Sequence, residues 1–374
     1  MKQLAAFFLV FSFFPAGCQK IDGSANQTVQ TQNADRPAII KICLPVINSQ
    51  SSQIKTRKSP HIVRAEFINP NKIWVITHFG EIYSTADAGE TWKKLQLKSI
   101  EYFKAFDFFN EQSGWLADTD KNVWKTTDGG ENWNRICSFK ALKGQDFIGI
   151  EEIKFTSATN GWLHEVFNIF HTTDGGKSWK MVNQVTEQPH EMFFTDDLHG
   201  WISFKGGSQK PSLQILRTAD GGQSWKKSRI QTDDSTEALY FLDDRKDWLS
   251  DAYYGLFVTA DAGESWLRVD PGVKNFQTRS VFWLNSAQGW LAGAVIDPDK
   301  SASDVANNIP TILSTTDGGK SWNKFEMPGD ERFFDEIRFT DSTDGWLTSQ
   351  NAIYKTTDGG KNWKTIMKID FSCP

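Results

Sequence analysis

The chain has 374 residues, with 41 Lys and Arg against 46 Asp and Glu and a formal net charge of −5. That length can hold a large single core, and mild acidity without a basic run argues against nucleic acid as the main partner. Sixteen Trp and 28 Phe form an aromatic load suited to plugging many similar packing interfaces.

The N-terminus reads as a targeting signal. Lys2 precedes an apolar run from Leu4 to Phe14, too short to span a bilayer, so residues 1–17 are expected to be a cleaved signal peptide. Ala16-Gly17-Cys18 resembles the bacterial lipobox, although Pro15 stands where Leu is usual. Cys18 is therefore expected to carry lipid and to become the mature N-terminus. The implied location is extracytoplasmic and lipid-anchored, at the outer membrane if the host has two, because Gln19 rather than Asp follows the Cys. Residues 18–35 are polar and read as a flexible tether. From residue 36 to residue 374 the chain reads as one domain, with Ile39 to Ile47 as an extra strand near its start and 48–59 as a loop.

An eight-residue phrase then recurs seven times, beginning at Thr85, Thr126, Thr172, Thr218, Thr259, Thr315 and Thr356. Its third residue is Asp87, Asp128, Asp174, Asp220, Asp261, Asp317 and Asp358, at intervals of 41, 46, 46, 41, 56 and 41 residues. A period near forty marks a propeller or a solenoid. Within each phrase a Thr closes a strand, an Asp accepts backbone N–H groups of a turn, Gly tolerates positive φ, and a Trp opens the next strand. Between phrases lie short apolar pieces; in the third copy they are 152–156, 161–166, 169–172 and 178–182. Such pieces, punctuated by turn residues, form an antiparallel meander. A second Trp series (Trp74, Trp115, Trp162, Trp201, Trp248, Trp290, Trp346) opens the second strand of each unit. A solenoid needs atypical capping repeats, and the first and last copies here are regular. The expected fold is all-β, a seven-bladed β-propeller of four-stranded antiparallel blades.

The phrase resembles the Asp box, or bacterial neuraminidase repeat, one to each blade. Enzymes and non-enzymes share it, so the resemblance implies architecture rather than activity. The seven Asp are read as structural, each capping its own turn. DGG also lacks the alternating acids and distal Glu of a calcium loop, no Cys/His cluster suggests a metal, and no cofactor is implied. If Cys18 is lipidated, Cys43 and Cys373 flank the repeats and a disulfide between them could clasp a ring, stabilising by several kcal/mol in principle. Cys137 would then be a buried free thiol, with a Cys43–Cys137 bridge as the alternative.

Function in such a ring is expected on the face opposite the repeat turns, at the channel mouth and on long loops. Two second-to-third-strand loops are long, 205–212 and 293–310. Aligning the innermost strands places charges of both signs on the channel side, and Arg64, Glu152, Glu191, Arg279 and Glu336 form the candidate partner-binding ring. His78, His164 and His190 fall near the same face without metal-like spacing.

Sialidases share the repeat but also carry an Arg-Ile-Pro segment, which is absent from this sequence, and an arginine triad, whereas the eleven Arg here do not occur at equivalent blade positions. Glycoside hydrolysis needs two carboxylates at a set distance, and nothing in the sequence singles out a pair. The whole unit, as in Ile337 to Leu347 followed by Ile353 to Gly360, resembles the photosystem II stability/assembly factor-like group over 61–369. Photosynthetic members bind reaction-centre subunits through an arginine-rich patch, and no such cluster occurs here. What the resemblance implies is therefore a non-catalytic assembly factor or binding scaffold for another envelope or membrane protein, monomeric and tethered by its lipid. The alternative is a carbohydrate-active or carbohydrate-binding propeller, although the long sixth-blade loop holds no aromatic.

Overall fold

The computed structural model describes residues 38–41, 61–77, 81–95, 103–139, 149–185, 188–204, 213–230, 236–242, 246–251, 255–296, 308–327 and 334–370. The signal peptide, Cys18, the tether, Cys43, His78, the 205–212 loop, residues 297–307 of the sixth-blade loop and Cys373 lie outside them.

The described chain makes seven antiparallel sheets, each of four strands in sequence order, and the seventh gains a fifth strand. The blades span 62–95, 103–138, 152–184, 189–230, 236–269, 276–326 and 336–370. Their second strands are buried throughout except at Val295, the last residue of the sixth blade's, as in Ile73–Thr77, Gly114–Asp118 and Gly200–Phe204. Those strands are covered on both faces by neighbouring blades, so alternation between apolar and polar residues gives way to continuous burial. The outermost strand of the sixth blade, Asn323–Glu326, is by contrast mostly exposed.

One aromatic contact repeats around the ring. The last aromatic of each inner strand stacks on the second-strand Trp of the preceding blade. The centroid separations are 3.5 Å for Phe155 on Trp115, 4.0 Å for Phe194 on Trp162, 4.0 Å for Phe241 on Trp201, 3.9 Å for Trp283 on Trp248 and 3.7 Å for Phe339 on Trp290. Phe108 lies 4.9 Å from Trp74, and Phe67 lies 5.5 Å from Trp346 of the seventh blade. That last pair closes the ring, which a solenoid would leave open. A further link joins the first and last blades, where Ile62 N–H donates to the Gln350 carbonyl at 2.6 Å. Ala38–Lys41, ahead of the first blade, is the seventh sheet's fifth strand and pairs in parallel with Lys364–Asp370, Ala38 opposite Met367.

Each repeat turn is a hydrogen-bonded knot whose centre is the Thr hydroxyl. In the second blade Thr126 Oγ1 donates to Asp128 Oδ1 at 2.8 Å and accepts the N–H of Gly130 at 2.8 Å. Asp128 then accepts the Asn132 N–H at 2.9 Å and its side-chain amide at 2.8 Å. Gly130 has a φ of 85°, and a Cβ there would lie 2.2 Å from the Trp74 ring, so the residue is glycine both for its backbone and for the close approach of the preceding blade.

Cys137 is buried and disulfide-bonded, which corrects its reading as a free thiol. Packed into an outer strand, its sulfur is held as a cross-link rather than as a small apolar filler.

Candidate functional site

The turns fix the orientation of the ring. The repeat turn of a blade bonds to the turn between its first and second strands, as when Gly129 N–H donates to the Gln112 carbonyl at 2.8 Å and Gly359 N–H to the Thr343 carbonyl at 2.9 Å. Inner strands therefore run towards the repeat-turn face, and their first residues open on the opposite face. Asp87, Asp128, Asp174, Asp220, Asp261, Asp317 and Asp358 all sit in the knots on the far side from that opening. Asp261, for example, is held at about 2 because Ser265 donates to it through both side chain and backbone.

At the opening lies a cavity of about 440 Å³, walled by inner-strand residues of the first, third, fourth, sixth and seventh blades. Arg64, Glu152, Glu191, Arg279 and Glu336 all line it, with His164 and His190 beside them. Arg279 is off the strict alternation of its strand. A β-bulge between Thr278 and Ser280 sets it in the wall, and another between Pro189 and Glu191 does the same for His190. Bulges of this kind re-aim side chains at the rims of closed sheets.

One residue pair further in, the channel is divided into two arcs. Asp107, Glu66, Lys154 and Arg338 occupy one side, while Phe193, Tyr240 and Phe282 occupy the other. Lys154 Nζ lies 3.3 Å from Asp107 and 4.0 Å from Glu66. Tyr240 and Phe282 meet edge to face at 5.3 Å, and the Arg338 guanidinium sits over both rings at 5.9 and 5.7 Å. The cation–π contact joins the charged arc to the aromatic one. All seven residues of this layer lie outside the candidate ring expected from the sequence, and their place two residues beyond it on the inner strands is the signal that locates them on the channel side.

The acids at the mouth differ sharply. Glu152 Oε2 accepts the Met192 N–H at 2.7 Å and faces His164 Nε2 at 3.7 Å, while its other oxygen lies 3.8 Å from Arg64. Burial alone would raise its carboxyl, but His164, Lys154 and Arg64 more than offset that and hold it low. Glu336 pairs with Arg338 at 2.8 Å and Arg64 with Glu66 at 2.9 Å. Glu191 is pushed up to about 7, by burial first and then by the neighbouring Glu152 charge.

Among the described residues no group of three or more His, Cys, Asp and Glu is placed to hold a metal ion, and no helix is long and apolar enough to cross a membrane.

Residues 91–192 match the family model described as photosynthesis system II assembly factor YCF48. Among solved structures the chain is similar to YCF48 bound to a D1 peptide, at 20% identity and a TM-score of 0.61, over 82% of this chain and 95% of that one. YCF48 from Cyanidioschyzon merolae is similar at 17% identity and a TM-score of 0.60, over 82% and 98%. A virginiamycin B lyase from Staphylococcus aureus is similar at 14% identity and a TM-score of 0.58, over 80% and 94%. No curated protein matches the chain. At these identities the structural likeness is one of fold, which assembly factors and enzymes share. In fold the chain is a seven-bladed propeller similar to YCF48, and residues 91–192 match the YCF48 family model.

Proposed function

We propose that the protein is a non-catalytic scaffold or assembly factor, tethered outside the cytoplasm by lipid on Cys18, that holds a segment of another envelope or membrane protein at its channel mouth. The observation that carries this reading is the convergence of Arg64, Glu152, Glu191, Arg279 and Glu336, from five blades, on one opening of about 440 Å³. Their strands are fixed by neighbouring blades, so a ligand meets a preformed site and little ordering entropy opposes binding. An opening of that size admits a side chain or a short extended segment rather than a whole domain. A solved YCF48 holds a D1 peptide, which gives peptide capture a precedent on this fold.

A glycan-processing propeller is the second reading, because one mouth carboxyl is raised and another lowered, as in an acid–base pair. Against it, Glu152 is already occupied by the Met192 N–H, His164 and Arg64, which leaves it poorly disposed to attack or to activate water.

The test is cross-linked capture of the lipidated protein from its native membrane, beside a variant with Arg279→Ala and Glu336→Ala. The expected result is a stoichiometric protein partner that rebinds the purified wild type and is lost from the variant. Equal recovery would move the site away from the mouth. No partner from either sample, with turnover of glycoside substrates, would replace this reading with the second.

A further inference from the structure

The ions of the mouth are almost all matched. Glu66 pairs with Arg64 at 2.9 Å, Asp107 with Lys154 at 3.3 Å, and Glu336 with Arg338 at 2.8 Å. Glu152 is satisfied by the Met192 N–H and by Arg64. Glu191 lines the same cavity but makes no side-chain hydrogen bond or ion pair among the described residues. A carboxylate drawn out of water without a partner is costly, and a cation delivered to it relieves that cost. Beside it Phe193, two residues on along the same strand, supplies apolar wall. An unmatched carboxylate next to an aromatic ring fits an aliphatic stem with a cationic, hydrogen-donating tip.

We propose that the mouth takes one basic side chain of the bound protein, a lysine or an arginine, with Glu191 as its counter-ion and Phe193 against its stem. The inference rests on the scaffold reading and specifies what that scaffold grips. An acidic or neutral side chain would leave Glu191 unmatched.

The pairing is pH-dependent. The fixed charges that face Glu191 are Glu152 and Lys154 from the third blade, Arg64 from the first and Arg338 from the seventh. Arg279 and Glu336 line the same wall, and His164 and His190 are the titratable rings there. Glu191 itself gains its proton near neutrality, at about 7, so the grip on a cation weakens as pH falls through that value.

The test uses the intact protein, a displayed library of random peptides, and the variants Glu191→Gln and Glu264→Gln. Glu264 pairs with Arg217 on the surface and controls for the general negative field. Selected peptides are expected to share a Lys or Arg. Replacing that residue with norleucine, which keeps the stem, is expected to weaken wild-type binding by roughly tenfold or more. Glu191→Gln should erase that difference and Glu264→Gln should not. Wild-type affinity should fall between about pH 8 and about pH 6, the range in which a group near neutrality titrates. The wild-type pH profile and the norleucine comparison stand even if Glu191→Gln folds poorly. Selected peptides without a basic residue, or equal norleucine losses in wild type and Glu191→Gln, would overturn the counter-ion role and leave the scaffold reading intact. No selected peptide at all would overturn both.

Discussion

Glu152 Oε2 accepts the Met192 N–H at 2.7 Å, so a side chain of the third blade clamps the inner strand of the fourth and fixes Glu191 next door. The same device recurs where Asp107 accepts the Phe155 N–H at 2.8 Å and Ser280 accepts the Ile337 N–H at 3.1 Å. Channel polarity is thus partly a set of struts between blades. Glu152→Ala should cost about 1–3 kcal/mol, because a buried backbone N–H loses its acceptor. Glu264→Ala, which breaks an exposed pair, should cost about 0–1 kcal/mol. Urea unfolding of the two variants checks the difference.

Glu191 makes stability depend on pH. Its carboxyl rises from an ordinary 4.5 to about 7 in the folded chain, so the folded state holds the extra proton between those values. The stabilisation is complete below pH 4.5 and is lost as pH rises through 7. Glu191→Gln removes the titration; the variant should match wild type under acidic conditions and exceed it by about 1–2 kcal/mol at alkaline pH. Parallel chemical denaturation at both ends of the window measures this, and equal stability at alkaline pH would contradict it.

The stacked pairs are unequal. Phe155 is buried and lies 3.5 Å from Trp115 with planes at 5°, whereas Phe67 and Trp346 are 5.5 Å apart with planes at 27°. Phe155→Ala should cost about 3–5 kcal/mol through its cavity and lost stacking. Phe67→Ala should cost less and loosen the seam between first and last blades, read as faster hydrogen exchange in strands Ile62–Phe67 and Glu336–Phe339.

Two repeat turns carry alanine where the others carry glycine. Ala88 and Ala262 adopt φ values of 60° and 63°, a region that costs an L-residue roughly 1–2 kcal/mol. Ala88→Gly and Ala262→Gly should each stabilise the protein by about 0.5–1 kcal/mol after the extra freedom of glycine in the unfolded chain is deducted. Thermal melts of the single variants decide, and a lower melting temperature in both would show the strain is absorbed elsewhere.

The sequence by itself determined the ring. Seven phrases of turn chemistry, each with a Trp and followed by short apolar pieces, specify seven meanders, because Asp, Gly and Trp act within a few residues of where they stand. Alignment of the inner strands also places Arg64, Glu152, Glu191 and Glu336 on the channel side. Tertiary structure decided what those residues do. Glu152 is a strut because Met192 of the next blade presents its N–H there, and Glu191 is unmatched because Arg64, Lys154 and Arg338 are all engaged by other acids. Arg279 faces the channel through a bulge that no alternation reveals, and Cys137 is cross-linked rather than free. Those outcomes depend on distances between residues dozens of positions apart, which only closure of the ring sets.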